Sequence, residues 1–357
     1  MELGVVIAEG TEGWKTAVRA EKLGYSGVWF EDSQMVAADP IAMMALAAVN
    51  TSKVTIGTGV LIPSNRIAPQ AANSFATLNN LAPGRIAMGI GTGFSGRRAM
   101  GHPPVTRRVL KNYIETFNAM MRRDIVEWEF EGRRRKIGFV HPDKNFVNTT
   151  DPVDVYVAAQ GPKMRELTAE VDAHWMALYT QLDIAESDMA DMRRARSALG
   201  LEPDAIRSVI LMGGTPLDPG EPADSPKALA RGGPMAACYM HSLVESEALA
   251  LGAGLNPPEG LDDNPYIAGY RELYQGYEPA DARYLSLHRG HAVFLREDER
   301  HLITADLIRQ TTMTAEVGEL RERFQELKRQ GYDQAIFLVH PGEEAVLEDW
   351  VKVMEGV

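Results

Sequence analysis

The chain has 357 residues, 45% hydrophobic and 24% charged, a balance that supports a globular core and excludes a disordered polymer. Lys and Arg total 37 against 49 Asp and Glu; the net charge of -12 excludes general affinity for nucleic acid or an anionic membrane, both of which need a basic face. Cys238 is the only cysteine, which excludes an intramolecular disulfide and a thiolate metal cluster.

Met1 runs straight into the apolar Leu3–Ile7 without a basic leader, so no signal peptide is expected. No stretch approaches the roughly 20 apolar residues of a membrane span, and a cytoplasmic location is predicted. Leu3–Ile7 reads as the first strand and Gly13–Leu23 as the first helix. Strands follow at Gly27–Glu31, Lys53–Val60 and Arg85–Gly91, separated by helices at Pro40–Asn50 and Ala68–Leu81. Short apolar strands alternating with helices of about 10 to 15 residues indicate parallel βαβ units.

A long helix is predicted over Pro104–Arg123, then a hairpin over about 125–140 that turns at Glu131-Gly132-Arg133. The basic run Arg133–Lys136 on it reads as a solvated face. Strands resume at Val153–Ala158, Ala173–Leu178 and Arg207–Met212, with helices from Pro162 and over Ile184–Leu199. Residues 213–290 are rich in glycine and proline, and are predicted to form a lid with helices at Met235–Leu251 and Pro265–Gln275. The chain closes with helix Ala315–Gln330, strand Gln334–Val339 and helix Glu343–Met354. Glu21–Phe30 echoes Leu327–Leu338: each is a helix, a Gly-Tyr corner and an apolar strand, as a repeating βα unit requires. Eight strands predict one (β/α)8 barrel domain over 1–357, with the hairpin and the lid as insertions.

Four segments at strand ends could carry chemistry. Gly91, Gly93 and Gly96 match G-x-G-x-x-G, but they follow the fourth strand, the next helix is expected only after Pro103-Pro104, and no acidic strand end lies about 20 residues on. A dinucleotide fold is therefore disfavoured. Ile56–Pro63 carries Gly57 and Gly59 at the rim of the third strand, and Ala158-Ala159-Gln160-Gly161-Pro162 leads a strand into a helix whose amides could meet an anion. Glu31-Asp32-Ser33-Gln34 ends the second strand, where Asp32 is either an active-site acid or the cap of a turn. Among eight histidines there is no H-x-H or H-E-x-x-H pair, only His288 and His291 at i, i+3, so no metal is expected.

Together these segments resemble the luciferase-like family of flavin- and deazaflavin-dependent oxidoreductases, most closely its methylene-tetrahydromethanopterin reductase-like branch. The resemblance rests on Gly24–Gln34, Ile56–Val60, Ala76–Arg85, Gly89–Gly93 and Ala158–Met164, and covers most of residues 1–178. It implies a non-proline cis peptide at Gly59–Val60 behind the ring. It also implies contacts from Thr92, Gly93, Ala159, Gln160 and Gly161 to the ring edge or phosphate tail, and Asp32 beside the redox-active face. Many deazaflavin dehydrogenases of the family carry a histidine where this chain has Ser33, so a replacement acid or base is sought in Glu31, Asp32, His102 or His291.

The reading that follows is hydride transfer between deazaflavin coenzyme F420 and a small organic substrate, the cofactor supplying the chemistry. The alternatives are an FMN-dependent monooxygenase, a metal-dependent barrel lyase or hydrolase, and a non-catalytic ligand-binding barrel. The resemblance also implies a homodimer.

Overall fold

A computed structural model describes residues 1–179, 181–248 and 265–357. In chain order the strands are β1 (Glu2–Ile7), β2 (Gly27–Phe30), β3 (Thr55–Leu61), β4 (Ile86–Ile90), β5 (Val126–Phe130), β6 (Arg133–Ile137), β7 (Asp154–Ala158), β8 (His174–Leu178), β9 (Ser208–Met212), β10 (Pro216–Leu217), β11 (Ala315–Glu316) and β12 (Gln334–Val339). Eight of them close a parallel barrel in the order β1-β12-β9-β8-β7-β4-β3-β2. The predicted (β/α)8 architecture is therefore present, and all eight predicted strands belong to it.

Successive side chains on a strand point to opposite faces, and this sorts the core into two layers. Val5 and Ile7, Val28 and Phe30, Val155 and Val157, and Phe337 and Val339 pack outward against the helices. Val6, Trp29, Ala87, Tyr156, Met176, Val209 and Ile336 fill the barrel interior. Trp29 meets Tyr156 edge-on, with centroids 5.2 Å apart, and donates through Nε1 to Gln334 Oε1.

β5 and β6 form the expected antiparallel hairpin, turned by Glu131 and Gly132 at φ 51° and 70°. Both turn residues at positive φ match the right-handed twist of the strands, as two-residue hairpins require. The expected lid is a helical insertion: Pro226–Arg231, Gly233–Ala248, Pro265–Gln275, Arg283–Leu287 and Ala305–Thr311 are helices. It closes at β11, which pairs parallel with β10 in a separate two-stranded sheet, so the segment between the barrel strand β9 and the helix Val317–Gln330 runs from 213 to 316 rather than ending at 290. Residues 249–251 of the expected helix, and Asn256-Pro257-Pro258, lie outside the described residues. The insertion helix Gly233–Ala248 shares the inner apolar layer through Met235, Ala236, Tyr239 and Met240.

Among the described residues outside the insertion, one helix went unpredicted. Phe94–Arg98 starts directly after Gly93 instead of waiting for Pro103-Pro104, because Gly93 takes φ 89° and turns the chain at once. The long helix then begins at Arg107, where the Thr106 side chain caps the Val109 amide.

Candidate active site at the carboxyl ends of the strands

The alternation that sorts the core also decides what faces the barrel mouth. On β2, Trp29 points in and Phe30 out; the next inward positions are Glu31 and Ser33, and the next outward one is Asp32. Along β7, Tyr156 points in and is followed inward by Ala158 and Gln160, while Ala159 packs in the outer layer. On β4 the inward Ala87 is followed at every second position by Gly89, Gly91 and Gly93. That line without side chains hollows one side of the mouth. A Cβ on Gly91 would stand 2.8 Å from Val60 Cγ2, so the Val60 side chain fills the space that a side chain there would need. At Gly89 a Cβ would collide with the Thr58 carbonyl oxygen, a backbone approach that only glycine permits.

The resulting cavity holds about 1020 Å³ including its open mouth, within the order of size of small-molecule sites. Glu31, Ser33, Gly59, Val60, Gly91, Thr92, Gly93, Ala158 and Gln160 line it from the strand ends. Val6, Met176, Leu178, Leu211 and Leu338 supply apolar surface, and Phe94, Met235, Cys238, His291 and Ala292 close it from the other side. The Gly59–Val60 peptide is cis, at the bond expected, and the β3–β4 register shifts between Thr58 and Leu61.

Of the expected site residues, the cavity gathers Glu31, Gly59, Val60, Thr92, Gly93, Gln160 and His291. Asp32, Ala159, Gly161 and His102 are not in its lining. Asp32 turns outward: its carboxylate accepts from Arg66 at 3.0 Å and from the Ile62 amide at 3.1 Å, tying β2 to the turn after β3. Ala159 is fully buried, its carbonyl held by Trp175 Nε1 at 3.0 Å. Gly161 instead caps the helix Pro162–Glu170.

Glu31 accepts a hydrogen bond from the Ser33 hydroxyl. Burial raises its pKa and the neighbouring Asp32 charge adds to this, while Ser33 opposes. A carboxyl whose protonated form burial favours therefore faces the cavity.

Behind His291 lies a buried polar chain that sequence reading missed. His291 Nδ1 is 3.2 Å from His241 Nδ1, and His241 Nε2 is 2.6 Å from Glu299 Oε2. Arg296 and the Tyr270 hydroxyl donate to the same Glu299 oxygen at 2.8 and 3.3 Å. Burial lowers the pKa of both His241 and His291, and for His291 the neighbouring His288 and His241 add to it. Burial alone would raise Glu299, but His241 and Arg296 outweigh it and hold the carboxyl below its ordinary value. Cys238 Sγ is 3.7 Å from both ring nitrogens of His291, and burial pushes its pKa up, which keeps it a thiol. Cys238, His241 and His291 bring three donor atoms within 4.8 Å of one another, although the sequence suggested no metal spacing. The hydrogen bonds above already account for the imidazole nitrogens of His241.

A second buried pair joins the insertion to the rim: Arg98 donates to Glu245 at 3.0 Å with both side chains fully buried, and His288 Nε2 is 3.0 Å from the other Glu245 oxygen. Among the described residues no helix is long and apolar enough to cross a membrane.

The profile of the luciferase-like monooxygenase family matches residues 8–334. The chain belongs to this family. Relatives include an F420-dependent glucose-6-phosphate dehydrogenase of Kribbella flavida, 36% identical over 166 residues, 41% of this chain and 46% of that protein. Another is 5,10-methylenetetrahydromethanopterin reductase of Methanolobus tindarius, 30% identical over 43% of this chain and 45% of that protein. The chain thus spans about half the length of the curated relatives it matches. Among solved structures, an F420-dependent secondary alcohol dehydrogenase in complex with an F420-acetone adduct superposes with a TM-score of 0.67 at 17% identity, covering 100% of this chain and 98% of that one. At that identity the likeness is one of fold.

Proposed function

We propose that this luciferase-like protein is a deazaflavin-dependent oxidoreductase acting on a small organic substrate. The observation that carries the reading is convergence: Gly59, Val60, Gly91, Thr92, Gly93, Gln160 and His291, drawn from separate stretches of chain, line one cavity. The residues suit a flat tricyclic ring. Gly91 and Gly93 expose backbone in place of side chains, Val60, Met176 and Leu178 offer apolar surface, and Thr92 and Gln160 offer polar edges. The F420-dependent relatives support deazaflavin over FMN. When bound, the deazaflavin supplies a carbon that accepts or gives hydride.

The chain's own residues do the rest. The Gly59–Val60 bulge and the β4 glycines hold the ring, and the insertion excludes water from its exposed side. Asp32 braces the turn after β3 through Arg66 and does not itself react. His291, neutral and cavity-lining, takes or returns the substrate proton, the task that a histidine at the position of Ser33 would otherwise perform. Glu31, whose pKa burial raises, is the second acid–base group facing the cavity.

The test is titration of the purified protein with coenzyme F420 and with FMN, followed by cofactor fluorescence and calorimetry. Micromolar binding of F420, at least tenfold tighter than FMN, is the expected result. Tighter FMN binding turns the reading to a flavin monooxygenase, and binding of neither ends it.

A further inference from the structure

We infer that His241 and Glu299 are positioning residues that fix the tautomer of His291 and share its proton, forming a Glu299–His241–His291 relay into the cavity. The assignment follows from donor and acceptor counts. Glu299 is ionised and can only accept, so the 2.6 Å contact requires the proton on His241 Nε2. A neutral His241 then has a bare Nδ1. The 3.2 Å contact between the two Nδ1 atoms therefore requires the proton on His291 Nδ1. A neutral His291 is left with a lone pair on Nε2, on a side chain that lines the cavity.

The arrangement solves a physical difficulty. His291 is 2% exposed and sits among other imidazoles and the Arg98 and Arg296 cations, surroundings hostile to an imidazolium. As Nε2 accepts a substrate O–H or N–H proton, the Nδ1 proton can pass to His241 Nδ1. The positive charge then rests on His241, against the Glu299 carboxylate, and His291 is again neutral. For oxidation, the substrate carbon loses hydride with its electron pair to oxidised deazaflavin and its heteroatom loses the proton to the relay, giving a carbonyl or imine; reduction runs the same transfers backward. What the relayed proton serves rests on the deazaflavin reading. The hydrogen-bond order does not.

All three relay residues lie between 241 and 299, within the segment separating β10 from β11. The insertion thus supplies the histidine that the rim of β2, with Ser33, lacks.

The experiment is ring-nitrogen NMR on the full chain labelled with 15N-histidine, at neutral pH and without cofactor, with peaks assigned by single histidine substitutions. The expected pattern is His241 protonated at Nε2 only and His291 at Nδ1 only. In His241→Phe, His291 loses its acceptor and its Nδ1-protonated form should cease to dominate. Should that variant not fold, the wild-type pattern still decides. His291 protonated at Nε2 would overturn the relay. So would a stoichiometric metal in the purified protein with both Nδ1 atoms bare, making Cys238, His241 and His291 its ligands. A wrong nitrogen pattern with F420 binding intact sinks the relay alone; a correct pattern without F420 binding sinks only the cofactor reading.

Discussion

At Gly93 the backbone takes φ 89°, and a Cβ there would lie 2.8 Å from Ile62 Cγ2 and from Arg97 Cγ. A side chain in that conformation costs of order 1–3 kcal/mol, and a branched one also intrudes on the turn. Gly93→Val is therefore expected to weaken F420 binding at least tenfold while the circular dichroism spectrum stays unchanged; undiminished affinity would remove this turn from the site. Glu31 and Asp32 teach how far single residues could be read. The period of two through Trp29 places Glu31 inward and Asp32 outward, whereas the resemblance implied Asp32 beside the ring. The Arg66 partner of Asp32 is 34 positions away, and no local spacing announces such a pairing. His241 and Glu299 are likewise separated by 58 positions, so their contact is a product of the folded insertion.

Between elements, the Arg98–Glu245 pair fastens the short helix Phe94–Arg98 to the insertion helix Gly233–Ala248. Removing Arg98 leaves the buried Glu245 carboxylate with His288 as its remaining charge partner, a loss of up to about 3–5 kcal/mol, whereas removing both charges can recover most of it. Denaturant unfolding should show Arg98→Met losing that amount and the Arg98→Met/Glu245→Met double variant regaining most of it. Equal losses in the two would refute the buried-charge account. The barrel helices were legible because each has one face to the core and so a clear period, and the strands because burial on both faces makes each a short continuous apolar run. The insertion helix has no such stripe: Pro234 through Ser242 are all buried, so periodicity could mark it as helical without saying which side meets the barrel. Helix Phe94–Arg98, a single turn and a half between glycines, is too short to carry a periodic signal.

For the molecule as a whole, pH sensitivity follows from histidines kept neutral inside it. His340, just past β12, is 3% exposed, with Nε2 on the Arg231 carbonyl at 3.1 Å. Burial lowers its pKa from 6.5 to about 4, against smaller opposing effects from Arg231 and Glu343. The unfolded chain then binds a proton between those values that the folded chain refuses, so stability is full above pH 6.5 and falls as the pH drops through 4. The loss from this residue is about 3 kcal/mol below pH 4. Unfolding measured across that range should be flatter in His340→Asn than in the wild type; parallel curves would acquit the residue.

The inner apolar layer of the barrel continues without interruption into the insertion, through Met235, Tyr239 and Met240. The lining of the cavity and the packing of the insertion therefore meet in one residue, Met235. A chimera that exchanges this segment for a relative's would have to bring matching interior packing with it, and a shorter cover would leave greasy strand ends facing water. Diversification of such an enzyme must proceed by compensated, small repacking steps instead of wholesale module swaps.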